Sequence, residues 1–360
     1  MPFFGFGGRK PEPPAGVRVD PARSARLDAF IADQIRDGEP GLAIAVVKDH
    51  TVAHLAAYGL ADAQRNVPTR PDTMFHLASC GKQFTALGIL KLMEAGRVVL
   101  DDPVGLHLPT VAGFGREVTI RRLLQHTSGI RDLYDEEGYE TVMRYTSRPT
   151  NADILAVYAK LGCPMTARPG AEFAYSNSGY ELLGAVIERA AGESYANFFR
   201  RIVFDPVKMN DTFSVPDRRM NDPRRAVGYG SDNDGFFEHE GSEFDDLVGA
   251  GSFVTTAPDL CLYDSALATN ALVTEASMRL ALTSGKTNDG KDTGYGFGWY
   301  IDSYRAMPYA EHDGDWAGFY SMIRRYQERP LSVYLLTNNP EVGLKAVIEA
   351  ASDTFADLVA

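Results

Sequence analysis

The sequence has few of the features that mark exported, membrane-spanning or nucleic-acid-binding proteins. Its 360 residues include only three cysteines, Cys80, Cys163 and Cys261, and none of them form a CxxC pair. Neither a disulfide framework nor a cysteine-based metal site is therefore expected. No run of about 18 apolar residues occurs, so no membrane span is expected. Lysine and arginine total 36 against 48 acidic residues, giving a net charge of −12 without a basic cluster, which argues against nucleic-acid or anionic-membrane partners.

The N-terminal residues also lack the pattern of a secretory signal, which is a cationic start followed by about 7–15 apolar residues. Residues 1–17 are instead rich in glycine and proline and predict a flexible tail. The remaining composition, 44% hydrophobic and 23% charged, is that of an ordinary globular protein. We therefore expect a cytoplasmic enzyme or binding protein in a reducing compartment, with one or two domains.

Hydrophobic patterns divide the chain into strands at both ends and helices between them. Buried-strand patterns occupy residues 41–48, 52–58, 298–301, 319–326 and 331–337, whereas helical spacing dominates from residue 75 to about 221. Terminal helices are predicted from Asp20 to about Asp37 and over 341–358. This order predicts an α/β (α+β) fold with a discontinuous sheet domain, residues 18–84 and 235–360, and a mostly helical inserted domain, residues 85–234.

The most informative stretch for chemistry contains Ser79 and Lys82. If a helix begins at Ser79, Lys82 lies three residues on and over the same face. A serine hydroxyl needs a neighbouring base to act as a nucleophile, and a desolvated lysine of lowered pKa can serve. The amides at a helix N-terminus also suit a developing oxyanion. Alone, the pair is more typical of a capping serine beside a solvated lysine.

Two further segments strengthen the catalytic interpretation. Tyr175 and Asn177 lie two residues apart in a Ser/Gly-rich loop before a helix, where both side chains can project to one side. His312 and Gly314 follow an aromatic strand pattern, which places His312 at a strand end and lets a substrate lie against the backbone at Gly314. Trp316 follows closely and is a candidate for an aromatic pocket wall.

The ordered set Ser79-x-x-Lys82, Tyr175-x-Asn177 and His312-x-Gly314 resembles the serine β-lactamase and penicillin-binding-protein superfamily, in its class C-like branch. Residues 100–103, 120–129, 204–212 and 249–260 are also similar to this branch. The resemblance covers roughly residues 20–340. It implies a β-lactamase/transpeptidase-like fold, with an antiparallel sheet flanked by helices, and a site in the cleft between the sheet and the helical region.

The resemblance further implies an acyl-enzyme mechanism that needs no metal or organic cofactor. Ser79 would attack a carbonyl group, with Lys82 and Tyr175 sharing the roles of base and proton donor. Asn177 would orient Lys82 and the substrate. The backbone N–H groups of Ser79 and Asp315 would form the oxyanion hole.

The third motif departs from the superfamily pattern, since His312 stands where β-lactamases and transpeptidases carry a lysine that binds a carboxylate. A neutral histidine is a poorer anion anchor, and Asp313 and Asp315 would repel an anion. Lys286 and Lys291 lie in polar loop sequence and are rejected as substitutes. We therefore expect a small neutral or cationic ester or amide as the substrate. The open alternatives are a D-amino-acid-specific peptidase, an acyltransferase, a β-lactamase, or a catalytically silent scaffold, and the sequence leaves the oligomeric state open.

Three nearby side chains receive structural interpretations. Cys80 follows the nucleophile directly, but one step along a helix turns it about 100° away, as for a small buried thiol. His126 is expected to pack beside the site and bond to the backbone, and His76 is also interpreted as structural.

Overall fold

The main sheet is built from strands near the two ends of the chain. The structure is a computed structural model that describes residues 16–215 and 221–356. The predicted tail therefore lies outside the described residues up to residue 15. Seven strands form one antiparallel sheet in the order β1-β3-β2-β14-β13-β12-β11. The strands are β1 (Val17–Arg18), β2 (Leu42–Lys48), β3 (Thr51–Tyr58), β4 (Leu60–Asp62), β5 (Val67–Pro68), β6 (Phe75–His76), β7 (Phe213–Ser214), β8 (Tyr229–Asp232), β9 (Gly235–Glu238), β10 (Phe253–Thr255), β11 (Tyr300–Tyr304), β12 (Met307–Trp316), β13 (Phe319–Tyr326) and β14 (Leu331–Thr337).

Helices cover both faces of this sheet, and a series of them follows β6 along the chain. The helices are α1 (Pro21–Ala32), α2 (Lys82–Glu94), α3 (Val104–His107), α4 (Ile120–Leu124), α5 (Glu136–Met143), α6 (Asn151–Lys160), α7 (Asn177–Ala191), α8 (Tyr195–Phe199), α9 (Asp205–Val207), α10 (Ala257–Ala268), α11 (Glu275–Ala281) and α12 (Leu344–Phe355). The predicted antiparallel α/β fold is thereby confirmed. The division into a sheet domain and a helical domain stays a prediction. Among the described residues, no helix combines the length and the apolar character needed to cross a bilayer.

The central strands are buried on both faces because each face carries its own hydrophobic core. Along β2, Leu42, Ile44 and Val46 join the core that α1 and α12 cover. The alternate residues Ala43, Ala45 and Val47 belong to the larger core, which extends into the helices between β6 and β10. A strand alternates its side chains across the sheet, so a strand buried on both sides has a continuous apolar sequence.

The strand predictions over 319–326 and 331–337 match β13 and β14 residue for residue, whereas the strand predicted over 298–301 is observed two residues later, as β11. The prediction for His312 was wrong in one respect, because β12 continues to Trp316 and His312 lies within the strand rather than at its end. The turn to β13 is made by Ala317 and Gly318, both with positive φ. The helix predicted over 341–358 is observed at Leu344–Phe355, and residues 357–358 lie outside the described part of the chain.

Candidate active site

Ser79 lies in a tight 3₁₀ turn, Ala78–Gly81, that joins β6 to α2. The prediction of an α-helix beginning at Ser79 was therefore early by one turn, since α2 begins at Lys82. Ala78, the residue before the serine, adopts a left-handed backbone conformation with φ of 47°. Residues other than glycine adopt this conformation at a cost in free energy. Its N–H donates to Nδ1 of His76 at 3.0 Å, which agrees with the structural role predicted for His76.

Lys82 is completely buried and donates to three oxygen atoms. Its Nζ lies 3.0 Å from Oγ of Ser79, 2.8 Å from Oδ1 of Asn177 and 2.6 Å from the carbonyl oxygen of Ala250. Burial disfavours the ammonium form and lowers the pKa of Lys82 to about 7, although the carboxyl groups of Asp132 and Glu181 partly oppose this shift. Near neutral pH a large fraction of Lys82 is therefore the free amine, which can accept a proton from Ser79.

Tyr175 and Asn177 approach Lys82 from the start of α7. Ser176 caps this helix, with its Oγ accepting the N–H of Gly179 at 3.0 Å, and Asn177 is the first helical residue. The ring centroid of Tyr175 lies 4.9 Å from Nζ of Lys82. Burial raises the pKa of Tyr175 well above its usual range, an effect that the Ser79 hydroxyl partly offsets. Tyr175 is thus a neutral phenol at physiological pH, able to donate a proton or a hydrogen bond.

His126 forms the packed support behind Tyr175. Its ring centroid lies 4.3 Å from that of Tyr175 and 4.7 Å from that of Tyr295. Nδ1 accepts the backbone N–H of Ser176 at 3.0 Å, and burial lowers the pKa of His126 well below its usual value. This geometry agrees with the structural interpretation made from the sequence.

The His312-x-Gly314 segment lies on the part of β12 that faces the Ser79 turn. β11 pairs with β12 only up to Glu311. Beyond Glu311, the edge of β12 that faces away from β13 is therefore free to approach the Ser79 turn. The Cys80 thiol donates to the carbonyl oxygen of His312 at 2.9 Å, and Cys80 is fully buried, as predicted. A Cβ at Gly314 would lie only 2.8 Å from the carbonyl oxygen of Leu77. Glycine at this position therefore lets the strand approach the nucleophile's own turn.

His312 is a neutral, fully engaged side chain. It is buried, with Nδ1 2.6 Å from the carbonyl oxygen of Asp313 and Nε2 2.9 Å from the Tyr295 hydroxyl. A carbonyl can only accept, so Nδ1 carries the hydrogen and Nε2 accepts from Tyr295. Burial, and then the charge of Lys82, lowers the pKa of His312 to about 3. This residue therefore supplies no positive charge to the site.

A cleft opens beside Ser79. Its lining includes the predicted residues Ser79, Asn177, Asp315 and Trp316, and three that sequence reasoning missed, Tyr134, Phe244 and Asp245.

Trp316 is half-buried, and its Nε1–H donates to Oδ1 of Asp245 at 2.7 Å. The Tyr134 ring packs 4.9 Å from that of Phe244 and 6.0 Å from that of Trp316. These three aromatic side chains come from separate segments of the chain, so no local spacing in the sequence predicts their meeting.

The site consists of proton-transfer and hydrogen-bonding groups. In the described part of the chain, no group of three or more histidine, cysteine or acidic side chains is arranged to hold a metal ion. Asp313 and Asp315 are both exposed on the strand beside the cleft.

Comparison with known proteins assigns the chain to a family. Residues 27–353 match the model of the Beta-lactamase family. The chain belongs to this family. Penicillin-binding protein 4* of Bacillus subtilis (strain 168) is 33% identical over 300 residues, which are 79% of this chain and 65% of that protein. The chain thus spans less than two-thirds of the length of this relative.

Solved structures of other proteins share the fold. The octameric penicillin-binding protein homologue from Pyrococcus abyssi superposes with a TM-score of 0.81 and 26% identity, covering 92% of this chain and 77% of that one. The D-amino acid amidase from Ochrobactrum anthropi SV3 superposes with a TM-score of 0.75 over 94% of this chain and 99% of its own, at 22% identity. At this identity the likeness to the amidase concerns the fold alone.

Proposed function

We propose that this family member is a serine hydrolase that acts through an acyl-enzyme on a small ester or amide. The observation that carries the proposal is the 3.0 Å contact between Ser79 Oγ and the buried Lys82 Nζ, whose pKa is lowered to about 7. As Oγ bonds to the substrate carbonyl carbon, its proton passes to the Lys82 amine. The proton then goes to the leaving alcohol or amine, directly or through the Tyr175 hydroxyl, as the scissile bond breaks.

The oxyanion would form between Ser79 and β12. The proposed donors are the backbone N–H groups of Ser79 and Asp315, which lie on the two segments that Gly314 brings into close contact. Oriented amides in such a site stabilise the tetrahedral intermediate without reorganising during the reaction. Water, or another nucleophile, would then attack the acyl group and release Ser79.

The charges around the cleft support a neutral or cationic substrate. His312 is neutral and has both ring nitrogens engaged, so it offers no cation to a substrate carboxylate. Asp315 borders the cleft and would repel an anion. The aromatic wall of Tyr134, Phe244 and Trp316 favours an apolar or aromatic substituent on the acyl or leaving group.

Hydrolysis of D-amino-acid amides or peptides is the second candidate. The acidic side chains at the cleft support it, because they suit a free ammonium group, and the D-amino acid amidase is an example of this activity on the same fold. An acyltransferase would use the same acyl-enzyme and differ only in the final acceptor. A β-lactamase is disfavoured by the neutral His312. A silent scaffold would have no physical need for a buried lysine on a serine hydroxyl, because burying that amine is costly.

The first test is covalent labelling followed by intact-mass measurement. The protein is incubated separately with a fluorophosphonate and with a labelled penicillin. We expect an adduct with the fluorophosphonate that maps to Ser79 and is lost in Ser79→Ala. Folded protein that forms no adduct with either reagent would overturn the enzyme proposal.

A second test separates the enzyme alternatives. Turnover of p-nitrophenyl esters is compared with turnover of D- and L-alanyl amides, with and without an amine acceptor. Ester turnover with little discrimination between the amide enantiomers supports the leading proposal. Selective hydrolysis of the D-amide supports the second candidate, and acyl transfer to the amine supports an acyltransferase.

A further inference from the structure

Glu181 is a buried carboxyl group that the reaction as described does not use. It lies on α7 one helical turn after Asn177, so both side chains are on the same face of the helix. Its residue surface is only 1% exposed. A carboxyl group at such a position is costly unless other groups compensate it, which makes its partners informative.

The two carboxyl oxygen atoms of Glu181 differ in their hydrogen bonding. Oε1 accepts the hydroxyl of Tyr134, a lining residue of the cleft, at 2.6 Å. Oε2 is buried and has no hydrogen-bond partner among the described residues. One oxygen is therefore anchored at the wall of the substrate cleft, and the other is left to interact through its charge.

The opposite charge that acts on Glu181 is Lys82. The ionisable groups that influence Glu181 are Tyr134 and Asp132, from the segment before α5, and Lys82 from α2. Glu181 in turn influences Tyr158 of α6. Asp132 already accepts the N–H groups of Asn177 and Ser178, at 3.3 and 3.0 Å, at the start of α7.

Lys82 and Glu181 also share a structural link. Asn177, one turn before Glu181, holds Nζ of Lys82 through its Oδ1. Burial raises the pKa of Glu181, whereas the positive charge of Lys82 acts to lower it. Protonation of Lys82 therefore favours the ionised form of Glu181, and a Glu181 carboxylate in turn favours the ammonium form of Lys82.

We propose that Glu181 is a positioning residue that supplies the buried counter-charge to Lys82. The inference rests on the proposed acyl-enzyme function. When the Ser79 proton moves to the Lys82 amine, a buried ammonium ion forms. The Glu181 carboxylate stabilises this ion through its charge and forms no bond to the substrate. The proton leaves Lys82 with the leaving group, and the lysine returns to the amine form. Tyr134 links this pair to the cleft wall.

The test measures the titration of Lys82 directly, independently of turnover. Protein labelled with ¹³C at the lysine ε-carbon is titrated by NMR, and the Lys82 signal is assigned by its absence in Lys82→Arg. In Glu181→Gln the ammonium loses its buried counter-charge but keeps that of Asp132, so we expect the Lys82 midpoint to move to lower pH by about one pH unit. Glu181→Asp keeps the charge and should restore most of the shift.

A matched control is available in α10. Asp264 is also buried, at 3% exposure, and also accepts a tyrosine hydroxyl, that of Tyr334 at 2.7 Å. It is not among the groups that shift Lys82. Asp264→Asn should therefore leave the Lys82 midpoint unchanged, even if it lowers stability.

The outcomes separate this inference from the proposed function. An unchanged Lys82 midpoint in folded Glu181→Gln would overturn the inference, whatever the activity. If Glu181→Gln does not fold, Tyr134→Phe removes the hydroxyl that favours the carboxylate, and the midpoint should move in the same direction but less. An unchanged midpoint in folded Tyr134→Phe would then overturn the inference. Failure of wild-type protein to label at Ser79 would instead overturn the proposed function.

Discussion

Replacing Gly314 with alanine tests how closely β12 must approach the Ser79 turn. A Cβ at this position would lie 2.8 Å from the carbonyl oxygen of Leu77, 2.9 Å from Cβ of Ala78 and 2.6 Å from Oγ of Ser321. The Ser321 hydroxyl can rotate, but it would then lose its hydrogen bond to Leu77, now 2.7 Å long. The backbone of Leu77 and Ala78 cannot rotate away, so the strand and the turn must separate.

The expected size of the effect follows from these distances. Ordinary carbon contacts begin near 3.4 Å, so a 2.8 Å contact requires a separation of about 0.6 Å. Overpacking of this kind costs about 1–3 kcal/mol of stability. A displacement of about 1 Å in a catalytic site can reduce rates about 100-fold, so 0.6 Å predicts a loss of roughly 10- to 20-fold in the rate of Ser79 labelling by the fluorophosphonate.

Gly105→Ala is the matched control. A Cβ at Gly105 would lie 2.7 Å from Cα of Ala112, which is also backbone, but in the connection after α3 and not in the site. We expect this variant to lose stability in urea unfolding while labelling at the wild-type rate. The reasoning would be refuted if Gly314→Ala labelled as fast as wild type, or if Gly105→Ala slowed labelling equally.

Two further predictions concern buried groups of the site. Because the pKa of Lys82 falls from its usual 10.5 to about 7 on folding, the native state binds fewer protons between these values. The contribution of Lys82 to the free energy of unfolding should therefore rise with pH in this window, by up to about 1.4 kcal/mol per pH unit. In Lys82→Met this contribution is absent, so the free energy of unfolding of the variant should rise less steeply with pH than that of wild type. Urea unfolding at several pH values measures this difference, and parallel curves for the two proteins would contradict the prediction. Cys80 is fully buried, with burial raising the pKa of its thiol, so iodoacetamide should modify it only after unfolding. Peptide mass mapping checks this, and rapid modification of native protein would contradict it.

Local sequence was sufficient for the elements whose signals are local. The ends of β13 and β14 follow from aromatic and branched residues bounded by turn residues. The strand patterns over 41–48 and 52–58 likewise correspond to β2 and β3, and Asp49 and His50, both with positive φ, form the turn between them. The position of His312 within β12 was missed because a glycine-containing stretch resembled a strand end, whereas Gly314 is required by packing against Leu77.

The cleft wall and the counter-charge of Lys82 could not be predicted in the same way. Tyr134, Phe244 and Glu181 carry no motif, and they come together only because three distant segments fold against one another. A buried glutamate within the apolar face of α7 is a local conflict with helix amphipathicity. Such conflicts are where functional residues are often found.

The sequence by itself determined the chemical groups and their order, Ser79 with Lys82, Tyr175 with Asn177, and His312 with Gly314, since these are residue identities at short spacing. Tertiary structure decided the hydrogen-bond partners, burial and pKa values of these groups. Lys82 is held by Asn177, 95 residues away, and by the carbonyl of Ala250, 168 residues away, and burial among these partners lowers its pKa. Desolvation and hydrogen bonding depend on what surrounds a side chain, and those surroundings are assembled only when the chain folds.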